Sequence, residues 1–153
     1  IAEKIQATLP EVVGVNLLDA SGRIVRIWPE EYNSSALGKV SQNIIPLTES
    51  LSRGEALWLS PPFRLFQGDQ GFAYYQPLTQ KGQQIGWLAV VVTSETFFKE
   101  FAKSEYGRNF HLMAIDEVTG EKYFQGKDAP IHTTALQQTG GIDEFGRKIS
   151  ITI

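Results

Sequence analysis

Three runs decide the fold of this chain. The first is Leu57-Trp58-Leu59-Ser60-Pro61-Pro62-Phe63-Arg64-Leu65-Phe66. The second is Gly71-Phe72-Ala73-Tyr74-Tyr75-Gln76-Pro77-Leu78-Thr79. The third is Gln83-Gln84-Ile85-Gly86-Trp87-Leu88-Ala89-Val90-Val91-Val92. Each is rich in β-branched and aromatic residues. Turn chemistry separates them, Gln67-Gly68-Asp69-Gln70 and then Gln80-Lys81-Gly82. That pattern predicts three consecutive antiparallel strands, the first interrupted at Pro61-Pro62. From Ile85 to Val92 both alternating sets are almost wholly apolar, which marks a central strand covered on both faces.

Upstream, Ile1, Ile5 and Leu9 recur at four-residue spacing, as on the last turns of a helix, and Pro10 ends it. Val12 to Leu18 and Ile24 to Trp28 flank the turn Asp19-Ala20-Ser21-Gly22 and predict a hairpin. Pro29 to Lys39 is polar and turn-rich. Ile44, Leu47 and Leu51 then mark a helix face, with Pro46 in the first turn and Gly54 at the C-terminal cap. Downstream, Thr93-Ser94 starts a helix that carries Phe97 and Phe101, Phe98 and Ala102 at four-residue spacing. Phe110 to Ile115, Lys122 to Phe124 and Lys148 to Ile153 predict a smaller β-rich tail. A polar Gly-, Thr- and Gln-rich stretch inside that tail has room for a short helix.

The order defines the expected fold class: α+β, a PAS-like antiparallel sheet with flanking helices, an N-terminal stalk helix and a smaller β-rich second lobe. The expected division is residues 1–11 for the end of the stalk, 12–103 for a ligand-sensing lobe and 104–153 for the second lobe. The opening helix has no capping residue before it and the chain closes inside a strand, so both ends read as cut from a longer protein.

Composition narrows the function classes. The chain has 153 residues, 42% of them hydrophobic and 20% charged, with a net charge of −3. It has the makings of a folded domain rather than a disordered one. No basic run offers a nucleic acid an electrostatic footprint. Cysteine is absent, which excludes disulfides, thiolate metal sites and a cysteine nucleophile. His111 in an apolar run and His132 in a polar one are too isolated to predict a metal site. Asp116-Glu117 and Asp143-Glu144 read as turn acids rather than a general acid and base. No phosphate loop, dinucleotide fingerprint or nucleophile elbow occurs. No catalytic residue and no cofactor is expected. Asn33-Ser34-Ser35 matches a glycosylation acceptor formally.

Leu59-Ser60-Pro61-Pro62-Phe63-Arg64-Leu65, Gly71-Phe72, Pro77-Leu78 and Gly86-Trp87-Leu88 together resemble the core of CHASE domains. Val13-Gly14-Val15, Asp19 to Ile24, Pro29, Asn33, Leu37-Gly38 and Met113-Ala114-Ile115-Asp116 suit the same outline. The resemblance covers most of Leu9 to Phe124. Phe63-Arg64-Leu65 is its most specific part, and several of the other short matches are shared with Cache-type sensors. It implies an extracytoplasmic sensor with a stalk helix and two PAS-like lobes, the ligand in the membrane-distal one. It also implies transmembrane helices on either side and a histidine kinase, diguanylate cyclase or phosphodiesterase output. In the plant cytokinin receptors of that family an acidic residue before the Ser-Pro-Phe-Arg strand holds adenine. Leu37-Gly38-Lys39-Val40-Ser41-Gln42 has no acid, which argues against a cytokinin.

Strand alternation nominates the ligand-binding residues. Trp58, Ser60, Arg64 and Phe66 share one face if the register holds through the prolines, Phe72, Tyr74 and Gln76 share one on the next strand, and Ile85, Trp87 and Ala89 on the third. An arginine, two tryptophans and a tyrosine on one sheet face would give a pocket aromatic walls and an anchor for a carboxylate or phosphate. Trp28 and Tyr32 border the loop expected to lid it. The competing reading makes these aromatics ordinary core and pairs Arg64 with an internal carboxylate. The first helix, through Ile1, Ile5 and Leu9, predicts either a homodimer contact or packing on its own sheet. The function expected is small-molecule sensing by a periplasmic or extracellular domain of a bacterial membrane receptor. The alternative is a dimerisation or protein-interaction module with no small-molecule ligand.

Overall fold

The computed structural model describes residues 2–9, 11–54, 56–66, 68–103, 112–126, 139–144 and 147–152. Ile1, Pro10, Phe110, His111 and His132, all weighed above, lie outside them. So do the side chains of Phe101 and Ala102.

The chain opens with helix α1 (Ala2–Thr8) and the hairpin β1 (Val12–Asp19) and β2 (Ile24–Trp28). Helix α2 (Glu30–Asn33), a 3-10 turn (Ser34–Ala36) and helix α3 (Ile44–Ser52) follow. Next come the short strands β3 (Trp58–Leu59) and β4 (Phe63–Arg64), then the long β5 (Gln70–Gln80) and β6 (Gln83–Thr93), and helix α4 (Ser94–Lys103). Strands β7 (Met113–Asp116), β8 (Lys122–Gln125), β9 (Thr139–Glu144) and β10 (Arg147–Thr152) complete the described residues. The first sheet has the order β2-β1-β6-β5-β3, with β4 also on β5, and the second has β8-β7-β10-β9. Every described pair of strands is antiparallel. The α+β class and the PAS-like sheet are those the sequence predicts.

The local reasons are visible in the residues. Gln80 and Gln83 pair across a two-residue turn in which Lys81 and Gly82 both have positive φ, 52° and 77°. That turn matches the twist of the flanking strands and needs glycine at one position. Helix α3 begins near Pro46 and stops before Gly54, whose φ is 76°. Its Leu47 is fully buried. Pro61-Pro62 splits the first predicted strand into β3 and β4, because proline cannot donate to the ladder. Strand β6 lies between β1 and β5, as its two-sided apolar run requires.

Register sorts side chains onto two faces. Ile27, Asn16, Ala89, Tyr75 and Trp58 are partners across five strands, and so share one face. The adjacent row, Trp28, Val15, Val90, Tyr74 and Leu59, is on the other. The first face packs with Leu18, Ile24, Ala36, Leu47 and Trp87 under α3. The back face packs Val12, Val15, Phe72 and Val92 against Phe98 of α4 and against Ala114 and Tyr123 of the second sheet. Each such side chain, fully buried, stabilises the fold by roughly 1.5–3 kcal/mol.

Two elements differ from the sequence-based expectation. The turn-rich segment from Pro29 holds α2 and the 3-10 turn, too short for helical periodicity to register. Part of the polar stretch in the tail is β9, whose Thr139-Gly140-Gly141 sequence carries no strand signal and is held by pairing with β10. Asp116, read as a turn acid, is fully buried. Its carboxylate accepts turn bonds from Val118 and Thr119 but also pairs with Arg147 at 3.0 Å. Arg147 Nε donates to Leu59 O at 3.2 Å, and its guanidinium lies 5.4 Å from the Trp58 ring. Tyr123 OH donates to Ser60 O at 2.7 Å and Gln70 Nε2 to Lys122 O at 2.8 Å. These bonds tie the second sheet to β3 and β5.

Candidate functional site

A cavity of about 150 Å³ lies on the α3 side of the first sheet. Its floor is Gly14, Asn16 and Leu18 of β1, Ile24 and Ile27 of β2, Tyr75 of β5 and Ala89 and Val91 of β6. The segment around Asn33, Ala36 and Val40 to Gln42 forms one wall, and Phe63 to Phe66 the other. Small residues make the room. Gly14 and Ala89 stand where neighbouring positions of the same face carry Trp87, Trp58 and Tyr75.

The polar groups are few and placed. Tyr75 OH accepts from Asn43 Nδ2 at 3.2 Å and shares a 3.1 Å bond with Ser41 Oγ. Burial first of all pushes this phenol above its ordinary range, against the pull of the two bonds, so it stays protonated. Asn33 is buried, and its Nδ2 donates to Val13 O at 3.1 Å and Pro29 O at 2.9 Å, pinning α2 to β1. That burial also removes it as a glycosylation acceptor. Asn16 is 8% exposed, and its Oδ1 has no hydrogen-bond partner. Apolar lining with a small set of converging polar groups is the form of a small-molecule site.

The nominated residues divide. Phe66 lines the cavity, with Lys39 Nζ 4.3 Å from its ring centroid. Arg64 borders it, but Phe63 packs with the cavity-side core, so the alternation of β4 turns the Arg64 side chain the other way. Arg64 is exposed, its Nε donates to Gly68 O at 3.1 Å, and it lines an outer groove with Glu121 and Lys122. Trp58 and Trp87 are on the cavity face but are 3% and 2% exposed core outside the lining. Ser60 is fully buried, its Oγ accepting from Ala73 N and donating to Pro61 O. It anchors the strand break.

Tyr74 is not on the face expected of it. It pairs with Leu59, one residue out of phase with Trp58, and belongs to the back-face core. Tyr75 takes the cavity position. The two adjacent tyrosines left the phase of β5 undetermined, and a one-residue slip exchanges the faces. Trp28 likewise packs on the back face, and Tyr32 is 72% exposed beside a shallow groove. Asn16, Ser41 and Gln42 were missed because no motif marks them. The signal for Asn16 was a polar residue inside the apolar run Val12 to Leu18.

Tyr74 borders a second, apolar cavity of about 460 Å³ between the back face, α4 and the second sheet. Its lining offers only the phenols of Tyr74 and Tyr123 as side-chain hydrogen-bonding groups, which makes it a joint between layers rather than an orienting site.

The antiparallel sheet order and the flanking helices give a PAS/Cache-like α+β fold. An extracellular ligand-binding receptor from Desulfohalobium retbaense has this fold, with a TM-score of 0.72 at 17% identity over 99% of this chain and 32% of that one. The ligand-binding domain of the Pseudomonas fluorescens chemoreceptor CtaA, in complex with L-isoleucine, matches with a TM-score of 0.62 at 11% identity over 97% and 71%. The sensor domain of the Vibrio cholerae histidine kinase DctB matches at 0.55 and 13% over 76% and 42%. The chain thus spans about a third of the first protein and less than half of the last. No family model and no curated protein matches it.

Proposed function

We propose that this chain is the extracytoplasmic small-molecule sensor domain of a membrane-bound signalling receptor. The observation that carries the reading is the cavity on the α3 side of the first sheet, walled by the segment around Asn33 to Gln42 and by Phe63 to Phe66 and floored by a PAS-like sheet. The similar structures are sensor and ligand-binding domains of a chemoreceptor, a histidine kinase and a receptor. Among the described residues no helix is long and apolar enough to cross a membrane, so anchoring is assigned to helices flanking this domain in its receptor. In this reading residues 12–103 are the membrane-distal sensing lobe and 104–153 the membrane-proximal one. The likeness of Leu59 to Leu65 to the CHASE core supports that family within the class. Ligand binding favours the arrangement in which the Asn33 to Gln42 segment closes on the sheet, and the second sheet carries the shift toward the membrane.

The homodimer reading of α1 has less support. Ile5 packs against the protein's own back-face core. Among the described residues of that stripe, Leu9, at 43% exposure, remains for a partner.

The test is a thermal-shift screen of the purified domain against amino acids, carboxylates, amides, nucleosides and phosphates. A ligand at about 100 times its Kd raises Tm by roughly 5–10 °C for a domain of this size. A shift from one chemical class supports the sensor reading. No shift from any class removes it in favour of an interaction module, which sedimentation would then examine.

A further inference from the structure

We infer that the cavity selects an uncharged molecule of about six heavy atoms carrying a hydrogen-bond donor beside an acceptor, such as a carboxamide or lactam. The inference rests on the sensor reading and names the ligand class of the same site.

Three observations carry it. First, the lining offers no buried charge. Among the cavity residues Arg64 alone is ionic, and its side chain is exposed and bonded to Gly68 O outside the cavity. No aspartate or glutamate lines the cavity among the described residues. An ammonium group brought in would lose its water without gaining an opposite charge. A carboxylate would find cations only at the rim, Arg64 turned to Gly68 O and Lys39 beside Phe66, so neither would be repaid as a buried ion pair is. A free amino acid carries both groups.

Second, Asn16 is placed to recognise a neutral amide. It is 8% exposed in the middle of β1, on the cavity face, and its Oδ1 is a buried acceptor without a partner. Such a group in a native fold requires an explanation. A carboxamide presents a donor and an acceptor side by side. A second amide meets it with complementary bonds and no net charge. Of the other cavity polar groups, Tyr75 is held by Ser41 and Asn43 and Asn33 Nδ2 by two carbonyls, while Gln42 is exposed at the wall rather than buried on the floor.

Third, Gly14 leaves the position beside that amide free of a side chain. A Cβ at residue 14 would lie 3.6 Å from Asn16 Oδ1 and 3.8 Å from Asn33 Nδ2, in ordinary contact with both. A methyl group there fits without displacing anything and occupies the ligand's place. Size follows from the volume: a cavity of roughly 150 Å³ accommodates a molecule the size of benzene.

The experiment uses 2-pyrrolidone and propionamide as neutral probes, propionate as the anion and L-alanine and L-isoleucine as zwitterions. Thermal shift and the side-chain amide resonances are the readouts. The Asn16 resonance is identified by its loss in Asn16→Leu. A neutral probe is expected to raise Tm by several degrees and to move the Asn16 resonance. Both effects should vanish in Gly14→Ala, whose own Tm stays within about 2 °C of the parent. If propionate or the amino acids shift Tm and the neutral probes do not, the ligand class falls and the sensor reading stands. If no probe in either test shifts Tm, both fall. If neutral probes bind but Gly14→Ala does not weaken them, the ligand is elsewhere and the assignment to this cavity is overturned. Should Gly14→Ala unfold, Asn16→Leu alone carries the same comparison.

Discussion

The two faces of the first sheet bury similar apolar rows and pair most of their polar groups, but they differ at Asn16. Where the back face meets the second sheet, Asp116 has Arg147, Arg147 also has Leu59 O, and Tyr123 has Ser60 O. On the cavity face Asn16 is as buried as Arg147, and its Oδ1 has no partner. Paired polar groups at the first place fix how two layers sit. Trp87 Nε1 on that face is also unpaired but lies outside the cavity lining, so it is the unpaired Oδ1 together with its place in the lining that marks Asn16 as a binding position.

The comparison predicts mutational effects of opposite sign. The largest is at the joint. Arg147→Met strands the fully buried Asp116 carboxylate and should cost about 3–5 kcal/mol in urea unfolding. Adding Asp116→Leu should recover much of that, since the isolated charge is gone. A double variant as unstable as the single would show that packing, not charge pairing, holds the layers. Tyr123→Phe should cost about 1–2 kcal/mol by leaving Ser60 O unpaired. Asn16→Leu should run the other way: stability unchanged or raised by up to about 1–2 kcal/mol, with ligand response lost. A clear loss of stability there would mean that the amide is structural and would erase the distinction between the faces.

Titration adds a smaller effect. Tyr75 is held above the ordinary phenol range by burial, and Tyr123 by burial and then by the nearby Asp116 carboxylate. Both stay protonated in the folded state where the unfolded chain ionises. Stability from this source is therefore complete below the ordinary tyrosine pKa, about 10, and declines as pH rises above it. Of the five tyrosines, these two should ionise in an absorbance titration only as the protein unfolds, and Tyr74, which burial also raises, should ionise above the ordinary range. Ionisation of all five near pH 10 without unfolding would contradict their burial.

Much of the fold was legible because the long strands carry their signals locally. Alternation, turn glycines and the two-sided run from Ile85 predicted β5, β6, their antiparallel pairing and the central place of β6 from within a few dozen residues. The cavity was legible only as a face. Which tyrosine of Tyr74-Tyr75 faces it depends on pairing with Leu59 and Trp58, set across a proline break that local pattern does not resolve. The Asp116–Arg147 pair spans 31 residues of sequence and two strands, and no spacing rule connects them. Asn16 was hidden for another reason. A single polar residue in a strand reads as an imperfection until the space above Gly14 is seen.

The smallest predicted effect separates the two readings of Arg64 most cleanly. From the sequence it was the natural anchor for an anionic ligand, since guanidinium forks match carboxylates and the residue sits in the most specific segment. In the structure its strand turns it outward, where it is exposed and holds one carbonyl of its own loop. Arg64→Gln should then change stability by no more than about 0.5 kcal/mol and leave the affinity for 2-pyrrolidone unaltered. A tenfold loss of affinity would mean that the side chain swings over the cavity mouth when ligand enters. It would restore the arginine as an anchor and point to an anion. No change in either quantity would leave recognition to Asn16, the unpartnered amide in the cavity lining, and to the room beside it that Gly14 leaves free of a side chain.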